Sequence, residues 1–380
     1  MGPLSGIKIV ELAGIGPGPM CAMLLADLGA TVLRIDRKQP SDLGIKRPLR
    51  FNTLLRSRKS IALDLKDPQA IDVTLQLIAQ ADALVEGFRP GVMERLGLGP
   101  EVCLARNPKL IYGRMTGWGQ QGPLAQTAGH DLGYIAITGV LHAIGRRAAA
   151  PAIPLNLIGD YGGGALYLAL GLLAGIIEAR ASGKGQVVDA AIVDGTASLA
   201  STFFGMHAAG ILQPERGSNI TDSGSHFYEV YECADGKWLS VAALESKFYS
   251  ELLRLLDIDA AELGPQLDRD SWPAAKQQLA TKFKTRTRDA WAAHFAGSDA
   301  CVAPVLDWTE AAGHPQLAAR STFIDIDGIR QPAPAPRFSR TVPDVPTAPA
   351  EPTRANTTAA LETWCTRDQL DAWRAAGVID

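Results

Sequence analysis

Two short stretches of this chain combine residue types able to move protons beside a carbonyl: Gly129-His130-Asp131, and Asn156-Leu157-Ile158-Gly159-Asp160-Tyr161-Gly162-Gly163-Gly164. Imidazole changes charge near neutral pH, and a carboxylate in a partly dry pocket can be tuned toward the same range. His130 and Asp160 therefore read as a candidate pair of opposing bases. The glycine-rich turn around Asp160 opens the apolar segment Gly162 to Ile177. A turn entering a helix offers free backbone N–H groups and a positive dipole end, where a developing oxyanion is stabilised. That combination suits chemistry at a carbon next to a carbonyl. Each residue also has a plainer role. A lone histidine is usually structural, and His130 is one of six. Asp160 would serve equally as the N-cap of the apolar helix. Three consecutive glycines cost a helix roughly 1 kcal/mol each, so something must approach the backbone closely there.

The elements that position these residues follow from hydrophobic patterning. Ile7 to Leu12 reads as a strand, Pro19 to Leu28 as a helix and Thr31 to Asp36 as a second strand, which makes a β-α-β unit. Asp67-Pro68 starts another helix with a cap and a first-turn proline, its apolar face carried by Ile71, Leu75 and Ile78. Ala83-Leu84-Val85, Leu110-Ile111-Tyr112 and Val187 to Ala191 add strands separated by helical stretches, as expected for a parallel sheet covered on both faces. The reading is one large α/β domain over residues 1–195, then a linker over 196–224. From Ser225 the rhythm changes. Tyr228 to Cys233 and Lys237 to Val241 flank Asp235-Gly236, a hairpin signal that opens a smaller α+β domain over 225–315. Helical patterns follow at Lys247 to Leu256 and Trp291 to Phe295. Prolines 332, 334, 336, 343, 346, 349 and 352 imply an extended connector over 316–352, before a last helix whose start at Thr366 forms a capping box with Gln369.

A chain of 380 residues exceeds the size at which single cores stop growing, which supports two domains. Hydrophobic residues make up 47% and the formal net charge is only −3, so no overall field draws the protein to nucleic acid or to an anionic membrane. Any anion site must be local. The five cysteines, Cys21, Cys103, Cys233, Cys301 and Cys365, show neither Cys-x-x-Cys pairing nor zinc spacing. They read as reduced thiols of a cytoplasmic protein. Gly162 to Ile177 falls short of a membrane span and reads as a buried helix, and the ending Gly377-Val378-Ile379-Asp380 carries no peroxisomal address.

Gly14-Ile15-Gly16-Pro17-Gly18-Pro19 follows the first strand and invites a dinucleotide reading, yet proline stands at the sixth position, and Pro17 and Pro19 remove two N–H donors. A tight turn packing helix on strand fits better than a nicotinamide site. Basic residues recur near apparent strand ends: Arg37, then Arg56, Arg58 and Lys59, then Arg89 and Arg95. Ligands of open α/β sheets bind outside the carboxyl ends of the strands, so these groups are either simply solvated or a phosphate handle.

Pro3-Leu4-Ser5-Gly6 with Val10-Glu11-Leu12, Asp27-Leu28-Gly29-Ala30, Arg114 to Gln120, Gly129-His130-Asp131, Asn156 to Gly164, Ser182 to Asp189 and Tyr231 to Gly236 together resemble the family III CoA-transferases, and in particular their racemase branch. Ser298 to Val305 and Pro334 to Ser339 extend the resemblance over nearly the whole chain. The resemblance implies a Rossmann-like large domain completed by the C-terminal segment 325–380, a small domain, and an interlocked homodimer with the active site shared between subunits. It implies an acyl-CoA substrate, CoA being part of that substrate, with no separate cofactor and no metal. By position it assigns CoA to Arg37, Leu63, Asp64, Leu65, Gly87, Phe88, Arg89 and Arg95, and substrate contacts to Gly129, Asp131, Tyr134, Gly159, Tyr161, Gly162 and Gly163. His130 and Asp160 fall on the two racemase bases, Glu245 on an acid that orients the partner subunit's imidazole, and Asn156 on a hydrogen-bond partner of Asp160. The reaction implied is racemisation of 2-methylacyl-CoA thioesters by 1,1-proton transfer through an enolate; the backbone N–H groups of Asp160 to Gly163, at the glycine-rich turn, are the candidate oxyanion donors. Its rival is CoA transfer with Asp160 as nucleophile.

Overall fold

In a computed structural model of the protein, residues 1–39 and 44–379 are described; Asp380, the last residue of the C-terminal tetrapeptide, lies outside them. The chain divides into two compact units. One comprises residues 1–138, 155–199 and 319–380, the other 139–154 and 200–318.

The first unit is built on six strands: β1 (Lys8–Leu12), β2 (Thr31–Arg37), β3 (Lys59–Leu63), β4 (Ala83–Glu86), β5 (Ile111–Thr116) and β6 (Gln186–Ala191). All neighbours are parallel, in the order β3-β2-β1-β4-β5-β6, so the order reverses between β1 and β4. Both faces are covered, and the inner strands accordingly lack polar alternation. On one face Ile9, Val32, Ala83 and Ile111 pack with Leu25 of helix Pro17–Asp27 and Leu168 and Leu172 of helix Tyr167–Ser182. On the other, Val10, Leu33, Leu84 and Tyr112 pack with Val73 and Leu77 of helix Pro68–Ile78, with Leu361 of helix Arg354–Leu361, with Leu370 and Trp373 of helix Arg367–Ala375, and with Trp364 in the turn between those two. The return of the C-terminus into this core buries two tryptophans, each a large apolar contribution. The expected caps form: Asp67 accepts from the Gln69 N–H, and Thr366 and Gln369 make a reciprocal capping box.

Several expectations need correction. β3 starts at Lys59, the last residue of the basic run Arg56 to Lys59, where no strand is expected from the sequence, because its short Lys-Ser-Ile-Ala-Leu stretch sends only Ile61 and Leu63 into one core. The apolar segment is part of a continuous 26-residue helix, Leu157–Ser182, whose first ten residues are π-helical. It is long and apolar enough to cross a membrane, and half of it is buried. It is not a buried helix throughout, since Leu157, Leu166, Leu170 and Ile177 are exposed. Residues 139–154 leave the large unit. The segment 196–224 contains the end of helix Ile192–Leu199 and a further helix, Ser201–Ala208, and 316–352 contains an antiparallel hairpin of β10 (Phe323–Ile326) and β11 (Ile329–Pro332) ahead of the extended prolines.

The second unit carries an antiparallel sheet in the order β7 (Tyr228–Glu232), β8 (Trp238–Ala242), β9 (Val302–Pro304). Asp235-Gly236 makes the expected turn, with Gly236 at φ 73°. Helices Ser246–Leu256, Trp272–Phe283 and Arg288–Phe295 cover the sheet, and Phe227, Tyr231, Leu252, Phe283 and Trp291 form the core.

Candidate active site

His130 occupies the N-cap position of helix Asp131–Ile137 with extended backbone, and its imidazole makes no capping bond. The carbonyl of His130 accepts the N–H groups of Gly133 and Tyr134, which anchors the turn, and the ring is left exposed. The side chain of the next residue, Asp131, turns inward. It is 6% exposed, and its Oδ1 accepts the backbone N–H of Asp160 at 2.6 Å. A second bond from the Gly159 N–H also favours the ionised form of Asp131, although burial outweighs both and pushes its carboxyl up. One buried carboxylate thus ties the segment carrying His130 to the segment carrying Asp160.

Asp160 stands in the first turn of the π-helical stretch, not at its cap; Asn156 holds the N-cap position. The Asn156 amide donates to Asp160 Oδ2 at 3.2 Å. The carboxyl is half-buried, and burial pushes it above the ordinary aspartate range; the Asn156 bond opposes that shift, the charge of Asp131 adds to it and the charge of His130 opposes it. The two candidate bases therefore lie within electrostatic reach of one another. A Cβ built on Gly16, whose φ is 66°, would stand 3.1 Å from Asp160 Oδ2, so the carboxylate rests on the turn that opens helix Pro17–Asp27. The positive end of that helix favours the charge.

Tyr134 closes the group. Its ring packs edge-to-face on Trp118 at 4.7 Å, and a Cβ on Gly117 or Gly129 would collide with it. Burial raises its phenol, the Asp160 charge raises it further and the Arg89 charge opposes both. Arg89, His130, Tyr134, Asn156 and Asp160 are thus brought together at the carboxyl end of the sheet, on one unit.

The glycines have a different explanation from the one expected. Gly159 faces the Asp131 carboxylate and Gly163 faces Thr196, and a Cβ on Gly195 would sit 1.9 Å from the Gly163 carbonyl oxygen. Close approach is required by helix Ile192–Leu199 and by Asp131. The N–H groups of Gly159 and Asp160 are spent on Asp131, and that of Tyr161 on the Asn156 carbonyl, so these donors do not form an oxyanion hole. Asp131 itself is buried against the backbone and not presented to a ligand, and Gly159 and Gly163 are likewise buried.

Of the residues assigned to CoA, Arg37 ends β2, exposed, with its guanidinium 5.9 Å from the Phe88 ring. Gly87 and Arg89 are exposed in the loop after β4, and the Arg95 guanidinium lies over Gly91. Leu63 is 1% exposed in the core, so its side chain offers nothing to a ligand; Asp64 is exposed and accepts the Lys66 N–H. Arg37 and Lys38 line a cavity of about 630 Å³ together with Gly14, Ile15, Ser60 and Glu351. Arg34 and Arg58 form part of its wall and pair with the fully buried Glu11 at 3.6 and 3.3 Å. Arg56 is buried against Asp27. Arg56 and Arg58 are therefore structural ion pairs before they are handles for phosphate.

Sequence reasoning missed the group formed by buried Glu86 and Arg114 with exposed Glu94. Arg114 had been noted only as part of a motif; its signal was an arginine and a glutamate on neighbouring apolar strands. Glu245 lies in the second unit, exposed, at the N-cap position of helix Ser246–Leu256 with no capping bond from its side chain. Among the described residues no cluster of three or more His, Cys, Asp or Glu side chains could hold a metal.

The family model for CoA-transferase family III matches residues 4–373. A mouse protein named alpha-methylacyl-CoA racemase is 45% identical over 92% of this chain and 90% of its own length, and the human protein of that name is 42% identical over the same shares. Among solved structures, a CaiB/BaiF family protein from Brucella suis superposes with a TM-score of 0.82 at 25% identity, covering 95% of this chain and 99% of that one.

Proposed function

We propose that this chain, which belongs to CoA-transferase family III, interconverts the (R)- and (S)-epimers of 2-methylacyl-CoA thioesters. The observation that carries the reading is the pairing of an exposed imidazole with a half-buried carboxyl, joined through Asp131, in a chain whose racemase-named relatives match over nine-tenths of its length. One base takes the proton from C2 of the thioester, an enolate forms, and the other returns a proton to the opposite face. Burial that raises Asp160 makes its carboxylate a stronger base than an ordinary aspartate, as a group that takes a proton from C2 requires. The thioester activates C2 without a separate cofactor, and the CoA portion supplies the remote binding energy that holds the centre between the bases.

CoA lies along Arg37, Asp64, Leu65, Phe88, Arg89 and Arg95, at the carboxyl ends of β2, β3 and β4, where open sheets place their ligands. Tyr134, Tyr161 and Gly162 border the acyl end, and Gly129 leaves room for the Tyr134 ring. The working form is an interlocked homodimer in which Glu245 of one subunit orients His130 of the other. Exposed Leu166, Leu170 and Ile177 on one helix give such a partner an apolar surface. Five free thiols fit the cytoplasm.

Deuterium from heavy water tests the reading. It enters C2 of a 2-methylacyl-CoA from either epimer, and each epimer gives rise to the other. Ready movement of CoA to a carboxylic acid acceptor with no label at C2 would instead assign Asp160 the role of nucleophile.

A further inference from the structure

The loop that joins β4 to helix Val92–Arg95 carries Gly87, Phe88 and Arg89, and Arg95 ends the helix that follows. It is gripped at both ends by a single side chain. Arg114 stands on β5 directly opposite Glu86 in the parallel register. Its Nε donates to Glu86 Oε1 at 3.1 Å, and its two terminal nitrogens donate to the Glu94 carboxylate at 2.9 and 3.3 Å. The second oxygen of Glu86 accepts the Phe88 N–H at 2.7 Å, at the start of the loop. The Glu86 side chain is 1% and that of Arg114 9% exposed, whereas Glu94 is 44% exposed, so the grip runs from the sheet to the surface. Tyr112 completes the seat, with its ring beneath the Arg114 guanidinium and its hydroxyl bonded to the Leu98 carbonyl. The Gln126 amide donates to Pro90 in the middle of the loop, four residues before His130.

We propose that Arg114 is a positioning residue for the substrate, a fork that fixes the ends of the 86–94 loop so that Phe88, Arg89 and Arg95 meet the CoA portion of the thioester in one arrangement. The inference rests on the reading of this loop as a CoA contact. A guanidinium is needed because the bond to Glu86 and the bidentate bond to Glu94 leave in different directions from three nitrogens of one planar group; the three donors of an ammonium sit on one nitrogen and do not reproduce that fork. The loop contains Gly87 and Gly91, the latter at φ 82°, and without the fork its backbone has conformations to lose on binding.

The test measures binding of free CoA by calorimetry, with turnover of a 2-methylacyl-CoA measured beside it, for the unaltered protein, Arg114→Lys and Glu94→Gln. Glu94→Gln touches only the partly exposed end, so it keeps the experiment decisive where Arg114→Lys folds poorly. Loss of charge-assisted bonds converts to CoA affinity weakened about tenfold or more in Arg114→Lys and by a smaller factor in Glu94→Gln, with KM raised in proportion and kcat at saturation little changed. Unchanged CoA affinity in folded Glu94→Gln and Arg114→Lys, with only thermal stability lowered, would overturn the proposal and make the fork merely structural. A fall in kcat at constant KM would overturn it as well. Absence of CoA binding by the unaltered protein would instead remove the reading on which it stands.

Discussion

On the proposed mechanism, Asp160 and its partner Asn156 govern the pH behaviour of the site. The Asn156 amide donates to the ionised carboxylate and so favours its charged form against the pull of burial. In Asn156→Ala the Asp160 carboxyl rises further, and the acid limb of the pH profile of kcat/KM moves to higher pH; a limb that stays in place would show that Asp160 is not the group titrating. Loss of either base by His130→Gln or Asp160→Asn lowers racemisation by about 10²–10⁴, while calorimetry shows CoA still bound. Both candidate bases were legible in the sequence because their residue types stand beside glycines. The work of Asp131 was not: two residues that read as neighbours in Gly-His-Asp point opposite ways, one to solvent and one onto the backbone of Asp160, and only the helix start at Asp131 decides which.

Among the elements, helix Ile192–Leu199 crosses the π-helical stretch that carries Asp160 and meets it at Gly163. A methyl on Gly195 would overlap the Gly163 carbonyl oxygen, so Gly195→Ala must separate the two elements. Overpacking of this kind costs about 1–3 kcal/mol, and melting temperature and turnover should fall together; a fall in neither would mean that the crossing yields without moving Asp160. The sheet offers a second prediction. Burial pushes the Glu86 carboxyl up to about 7 from the ordinary 4.5, against the opposing Phe88 N–H and Arg114 and with some help from Glu94. Through that window the folded protein holds a proton that the unfolded chain has lost, so stability falls as pH rises from about 5 to about 7. In Glu86→Gln the slope of melting temperature against pH over that window is shallower; equal slopes would show that Glu86 ionises normally. Strands and capped helices were legible from apolar runs and from Asp67 and Thr366. The π-helical stretch was not, because glycines that permit close packing look the same as glycines that bind a ligand, and β10 and β11 were absorbed into the reading of the Pro-rich run that begins at the end of β11.

For the whole molecule, the chain leaves and re-enters its large unit, and no local pattern announces that residues 139–154 belong with 200–318. The Pro-rich return and final helix were readable as segments, but their placement on the sheet depends on Trp364 and Trp373 finding a core more than two hundred residues earlier. Glu245 belongs to the second unit and His130 to the first, and the dimer reading makes them partners across subunits. Co-expression of His130→Gln and Glu245→Gln chains should therefore restore activity that neither has alone, because one of the two sites in the mixed dimer is intact. No restoration, or sedimentation as an active monomer, would remove the shared site.

The central claim is that His130 and Asp160 serve opposite faces of one carbon. Solvent deuterium exchange at C2, followed separately for each pure epimer with His130→Gln and with Asp160→Asn, tests it most directly. The account predicts that both variants interconvert the epimers about 10²–10⁴ times more slowly, that each still exchanges label readily into one epimer with retention, and that the epimer differs between the two variants. Exchange of both epimers by a single-base variant, or retention by both variants of the same epimer's exchange, would contradict it.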